Sequence, residues 1–359
     1  MTARRTAAGT ITGFVLRLAR ESIPLTQTAA AEALGVDLAT VQGWESGRRP
    51  VANMRAGAFL DLRRRLLALK ADHVVLSLLD AALDADRIVG AALDPPDAAD
   101  LHPLAGWVHT RSTAHLLSWA LNGIRPPALG SLTTPHRRGP VAAAPLLAVS
   151  ERATFFDQLR TSVEAAGTSE TLALLRRQAL YLCAYDRSPE GASWTAHTLQ
   201  ARRDVLSLRG WTPHWAEARS TATALVRQGD LQPLLDFIDR AMTDDDRAEA
   251  ANLTYWAYWL GVLPGAQPDD GFMCRRTDWD PVALLRSLVE GLDQAPGYVD
   301  LYAHTIWALL TAHPWLPQAV PALADRLDGQ AVRFLDEGRL SPRTSSELST
   351  VHYVLRDQH

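Results

Sequence analysis

Arg4, Arg5, Arg17, Arg20, Arg48, Arg49, Arg55, Arg63, Arg64, Arg65 and Lys70 place eleven basic side chains in the first seventy residues, against five acidic ones. The chemistry open to such a set is polyanion binding, because clustered guanidinium groups concentrate phosphate counter-ions around them. The segment carries +6 and the remainder −10, so the formal net charge of −4 over 359 residues conceals a basic head and an acidic body. An acidic body repels nucleic acid and confines any such contact to the head.

Other groupings offer less. His102, His109 and His115 fall near one another without a convincing ligand series, which suits surface or capping positions better than a metal site. Asp244-Asp245-Asp246 precedes a helical segment, where carboxylates cap the first turn and complement the helix dipole. The chain has no His-Glu-x-x-His, Gly-x-Ser-x-Gly, Walker-type glycine loop or Rossmann fingerprint. An enzyme is therefore not expected, and no cofactor or metal is called for. The two cysteines, Cys183 and Cys274, stand far apart and read as small core residues.

All eleven tryptophans except Trp44 lie beyond residue 100. Tyr255-Trp256-Ala257-Tyr258-Trp259 surrounds nearly every side of one helix, which must be deeply buried or border a cavity. An aromatic core is the preferred reading, since large rings usually serve packing. The alternative is a ligand pocket walled by Trp194, Trp211, Trp215, Tyr255, Trp256 and Trp259.

The elements that position these residues follow from periodicity. Ile11, Phe14, Val15 and Leu18 form one apolar helix face. Pro24 ends that helix, and Thr26 can cap a second one whose Ala29, Ala30 and Ala33 permit a close crossing. Gly35-Val36-Asp37 then makes a corner: glycine takes a positive φ, Val36 plugs the core and Asp37 caps the next helix. That helix, Leu38 to Ser46, turns Val41 and Trp44 inward and leaves Leu38, Ala39, Thr40, Gln42 and Gly43 on its outer or leading surface. Gly47-Arg48-Arg49-Pro50 stops it.

Leu25-Thr26-Gln27, the Leu34-Gly35-Val36 corner, Thr40-Val41 and Trp44-Glu45-Ser46-Gly47-Arg48-Arg49-Pro50 together resemble the Cro/repressor-type (XRE) helix-turn-helix. The resemblance covers about residues 10–69 and is specific, because helix, glycine corner, helix and terminator arrive in order at the right spacing. It implies that Gln27 hydrogen-bonds a backbone phosphate of double-stranded DNA and that the third helix enters the major groove. Leu38, Ala39, Thr40, Gln42 and Gly43 would then lie nearest the base edges. It also implies a structural ion pair between Arg20 and Glu45. Leu38, Ala39 and Gly43 depart from the polar residues common at the reading surface, so thymine-methyl contacts and DNA shape would carry much of the readout. Arg48 and Arg49 are placed for phosphates, and Arg4 and Arg5 sit on an arm able to reach a minor groove.

Beyond the head the chain reads as helical almost throughout, with no parallel-sheet pattern. Residues 71–145 form a helical connector whose Pro- and Gly-rich stretch, 123–145, marks the main boundary. Residues 146–359 form an all-helical effector or dimerisation domain, a train of four-turn segments suggesting stacked hairpins of a tetratricopeptide-like solenoid. The expected fold is all-α, with a basic helix-turn-helix on residues 1–70. With 47% hydrophobic and 21% charged residues the composition excludes a disordered or fibrous chain. No apolar run is long enough to cross a bilayer, so a cytoplasmic protein without membrane association is expected. The function that fits is a sequence-specific, homodimeric transcriptional regulator, controlled by a small-molecule, peptide or protein effector. The alternative is a helical-repeat interaction scaffold tethered to DNA.

Overall fold

The computed structural model describes residues 9–98, 102–130, 132, 142–275, 277–294, 296–338 and 340–357. Among these residues the chain is all-α: nineteen α-helices and a few 3-10 turns, with no β-strand. None of the helices is long and apolar enough to cross a membrane. The chain divides into two compact units, Met1–Asp186 and Arg187–His359.

The first unit contains α1 (Thr10–Ser22), α2 (Gln27–Leu34), α3 (Leu38–Glu45), α4 (Ala56–Ala68), α5 (His73–Ser77), α6 (Leu79–Leu93), α7 (Pro103–Gly106), α8 (Arg111–Asn122), α9 (Val149–Ala166) and α10 (Ala173–Cys183). Helix α1 is its hub. The expected face of Ile11, Phe14, Val15 and Leu18 is buried, but so are Thr12, Gly13, Leu16, Ala19 and Arg20. Two sides of α1 are therefore occupied: α3 packs on one, α5 and α6 on the other. Phe14 meets the Trp119 ring of α8 edge-on at 4.9 Å between centroids.

Gly9 stands at the N-cap of α1 and has no side chain with which to cap it. The cap comes instead from α6, where the Asp86 carboxylate, 3% exposed, accepts the backbone N–H groups of Ile11 and Thr12 at 3.0 and 2.8 Å. Burial pushes the Asp86 carboxyl up to about 6, against those same hydrogen bonds, which favour its charged form.

This arrangement explains why the compact unit does not end where composition suggests. The boundaries read from sequence fall at 70/71 and 145/146, whereas the division lies at 186/187. Helices α8 and α9 pack on α6, and α10 pairs with α9 and covers α7. The Gln178 side chain fastens the α7 region by accepting the His109 N–H and donating to the Leu104 and Trp107 carbonyls, at 2.7, 2.9 and 2.9 Å. Much of the Pro-rich stretch, residues 131 and 133–141, lies outside the described residues. Two stretches of helix-compatible composition are each divided into two helices. Asp72 to Leu93 splits at Leu78 into α5 and α6, and Leu104 to Asn122 splits at Trp107–Thr110 into α7 and α8.

The second unit contains α11 (Pro189–Ala201), α12 (Trp215–Arg227), α13 (Gln232–Ala241), α14 (Asp246–Trp259), α15 (Pro281–Leu292), α16 (Val299–Ala312), α17 (Leu316–Ala319), α18 (Pro321–Glu337) and α19 (Pro342–Arg356). Pairs α12/α13, α15/α16 and α18/α19 pack together, with α16 also against α13, α14 and α19. His304 of α16, 1% exposed in its side chain, lies between two carboxylates: Nε2 is 2.9 Å from Glu249 of α14 and Nδ1 is 2.8 Å from Glu347 of α19. Burial opposes its charge, but the two glutamates outweigh burial and raise its pKa to about 9.

Two stability measurements follow. Asp86→Ala strands two buried N–H groups and is expected to lower the unfolding free energy by about 2–4 kcal/mol in urea titration. For His304 the folded pKa lies above the unfolded value. Its contribution is therefore complete below pH 6.5 and lost as pH rises through about 9, a span worth about 3 kcal/mol. Wild type should lose that much more stability than His304→Gln over this range; parallel pH profiles would contradict the clamp.

Candidate nucleic-acid interface

Three short helices build the site. The hydroxyl of Thr26 caps α2 by accepting the Ala29 N–H at 3.1 Å. Gly35 ends α2 with φ 66°, and the Val36 N–H closes back on the Ala31 carbonyl at 3.0 Å. That left-handed closure is open to glycine at little cost and sets the direction of α3. Val36 is half-buried in the turn. Asp37 occupies the N-cap of α3, but its side chain makes no capping hydrogen bond there.

Two devices fix α3 against α1. The first is a close crossing: a Cβ on Gly13 would overlap the Trp44 carbonyl oxygen, so the helices meet at a distance only glycine allows. The second is a part-buried network. Arg20 of α1 grips Glu45 of α3 through Nε to Oε1 at 2.5 Å and Nη2 to Oε2 at 3.0 Å, and its Nη1 donates to the Leu25 carbonyl at 2.7 Å. A bidentate guanidinium–carboxylate pair sets orientation as well as distance. The amide of Gln27 joins in, donating to Glu45 Oε2 at 2.8 Å. Gln27 thus spends one of its two amide donors inside the protein, a role its expected phosphate contact did not include.

The outer face of α3 differs in part from the sequence reading. Leu38, Ala39 and Gln42 are exposed and Thr40 is half-buried, as an outward surface requires. Gly43, expected near base edges, is buried. Arg49 covers it: the Arg49 N–H donates to the Gly43 carbonyl at 3.0 Å, and the side chain runs back along α3 until Nη1 donates to Thr40 Oγ1 at 2.8 Å. A Cβ at Gly43 would meet Arg49 Cδ at 2.9 Å and Cγ at 3.0 Å. The absent side chain of Gly43 is thus the channel in which Arg49 lies. The only sequence signal for this was the smallest residue standing in an outward position six residues before an arginine. Arg48 points elsewhere and donates from Nε to Ser46 Oγ at 3.1 Å. Both guanidinium groups are exposed, and among the described residues neither has a carboxylate partner. Arg4 and Arg5 lie outside the described residues.

The other candidates take structural places. Trp215, Tyr255 and Trp256 are buried, whereas Trp194, Trp211 and Trp259 are half-buried. Trp211 stacks on Trp215 at 5.9 Å, Tyr255 on Trp259 at 6.2 Å, and the buried Arg219 guanidinium lies over the Tyr255 ring at 4.1 Å. His102 caps α7 by accepting the Leu104 N–H at Nδ1, 3.1 Å away, and burial lowers its pKa to about 4. Both His102 and His109 are buried, not on the surface. Asp245 caps α14 by accepting the N–H groups of Arg247 and Ala248, each at 3.0 Å. Burial raises the Cys183 thiol far above the ordinary range, so it is inert at neutral pH.

No family model, curated protein or solved structure matches this chain.

The glycines of α1 and α3 are expected to respond oppositely to a methyl group. Gly13→Ala drives Cβ into backbone and should cost about 3 kcal/mol, whereas Gly43→Ala meets only a movable side chain and should cost under about 1 kcal/mol. Urea titration of both variants checks the contrast, and equal losses would contradict it.

Proposed function

We propose that the chain is a sequence-specific DNA-binding transcriptional regulator of the Cro/repressor helix-turn-helix type. In this reading α3 enters the major groove of double-stranded DNA. The observation that carries it is the outer face of α3. Exposed Leu38, Ala39 and Gln42 and half-buried Thr40 share that face with the Arg49 guanidinium, and Arg48 stands just beyond the helix end. Neither arginine has a described carboxylate partner, and the helix is fixed from behind by Arg20 and Glu45. A fixed helix flanked by unneutralised arginines suits a grooved polyanion, and the +6 balance of residues 1–70 extends the attraction over the head.

Within this reading the two arginines divide their work. Arg48, beyond the helix end, takes a backbone phosphate. Arg49, laid along α3 over Gly43 and held by Thr40, reaches base edges with Leu38, Ala39, Thr40 and Gln42, and a guanidinium pairs best with guanine O6 and N7. A single head offers few contacts, so useful affinity calls for two copies on a two-fold site. The protein acts as a homodimer in the cytoplasm, and the helical second unit supplies dimer contacts, an effector site or both.

Fluorescence anisotropy on a duplex carrying the preferred site and on scrambled duplexes tests the division. Arg48→Ala should weaken all of them alike and lower the salt slope by about 1. Arg49→Ala should cost about 1–3 kcal/mol on the preferred site, with a smaller loss on scrambled DNA. Uniform losses from both variants would put Arg49 on the backbone, and no salt-dependent binding by wild type would refute the reading.

A further inference from the structure

We infer that the second unit holds an organic-cation site: the cavity between α14 and α16 takes an arylalkylamine, with its ammonium on Glu249 and its ring against Trp307. This cavity measures about 740 Å³, within the range of about 300–1,000 Å³ typical of small-molecule sites. None of the six aromatic residues singled out in the sequence lines it.

Its polar end is built around one carboxylate. Glu249 gives Oε1 to His304, 2.9 Å away, while its Oε2 is buried without a hydrogen-bond partner. A charged oxygen removed from water and left unpaired is costly, and a donor from a ligand relieves that cost. The charge balance around it favours a cation. Asp244, Asp245, Asp246 and Glu249 line the cavity with Arg247, Arg275 and His304. Several of these are already committed. Asp245 accepts the N–H groups of Trp211, Arg247 and Ala248. Arg275 pairs with Asp269 at 2.6 Å, and His304 is shared between Glu249 and Glu347. Asp244, Asp246 and the unpaired, buried Oε2 of Glu249 remain against Arg247, which interacts with the Asp245 charge and meets the Cys274 sulfur at 3.8 Å and the Trp211 ring at 5.7 Å. His313 also lines the cavity; burial holds its pKa below the ordinary imidazole value, so it adds no positive charge at neutral pH.

The walls suit a flat ring. Trp307 stacks on His304 at 5.7 Å, and Trp279 stands edge-on to His313 at 5.9 Å. Both indoles are half-buried and line the cavity, unlike Trp215 and Trp256 in the core. Indole faces attract cations as well as rings. Among the described residues no group of three His, Cys, Asp or Glu side chains could hold a metal ion. The site stands on its own geometry; only its use as an effector site rests on the regulator reading.

Isothermal titration of the full chain with tryptamine, and with indole-3-propionate as the same ring bearing a carboxylate, tests the site. Tryptamine should saturate one site with a submillimolar Kd, and the acid should bind at least about tenfold more weakly. Glu249→Gln should weaken tryptamine by a similar factor. Thr311→Trp, which fills the cavity from an exposed position on α16, should abolish binding without touching the His304 clamp. No saturable heat from tryptamine, equal binding of the acid, or wild-type binding by the Thr311→Trp variant overturns the inference. DNA affinity measured with and without tryptamine is a separate readout: its invariance removes the effector role and leaves the site standing.

Discussion

The Asp86 carboxylate on the first turn of α1 is the contact on which the first unit depends. A helix N-terminus has unsatisfied N–H groups and partial positive charge, and both demand an acceptor. Gly9 cannot supply one, so a side chain seventy-five residues away does. The same helix carries α3 on its other side through the Gly13 crossing and the Arg20–Glu45 pair. Displacing α1 would therefore disturb two packing surfaces at once: the base of the candidate DNA-reading helix and the helical layer formed by α6, α8 and α9. A basic head that could have been a loosely tethered module is built into a larger body instead.

That construction separates what local sequence reveals from what it hides. The bounds of α1, α2 and α3, the Thr26 cap and the Gly35 turn are set by residues within a few positions of one another, and they were legible. The Asp86 cap and the Gln178 amide act across more than sixty residues, so no window of sequence contains them. Composition placed a boundary at the prolines near 123–145, because prolines disrupt helices wherever they occur. Burial placed it at 186, because α9 and α10 complete the layer over α6 and α7. The breaks at Leu78 and at Trp107–Thr110 likewise lie within stretches of helix-compatible composition, where tertiary packing decides the backbone.

The candidate interface was legible to the same depth. Which residues face outward follows from the helical period, and Leu38, Ala39, Thr40 and Gln42 keep that assignment. What Arg49 does depends on a side-chain path over Gly43, and glycine in an outward position speaks of space without saying what fills it. In the second unit, the aromatic residues singled out in the sequence do not line the cavity between α14 and α16. The Tyr255–Trp259 cluster closes on itself and on Arg219, whereas the cavity opens on the neighbouring side of α14, where Glu249 keeps one oxygen unpaired. Large rings pack when they can, so a ring left half-buried beside a carboxylate is a sharper signal for a ligand than a ring in a cluster.

In the proposed function, α3 reads DNA sequence from a head fixed by α1. Selection of a random duplex library on the purified full-length chain at near-physiological salt, followed by sequencing of the retained DNA, tests it most directly. A dimeric regulator reading DNA through α3 yields an enriched two-fold motif with half-sites about one helical turn apart. Retention of DNA without an enriched motif, or no retention at all, would contradict it.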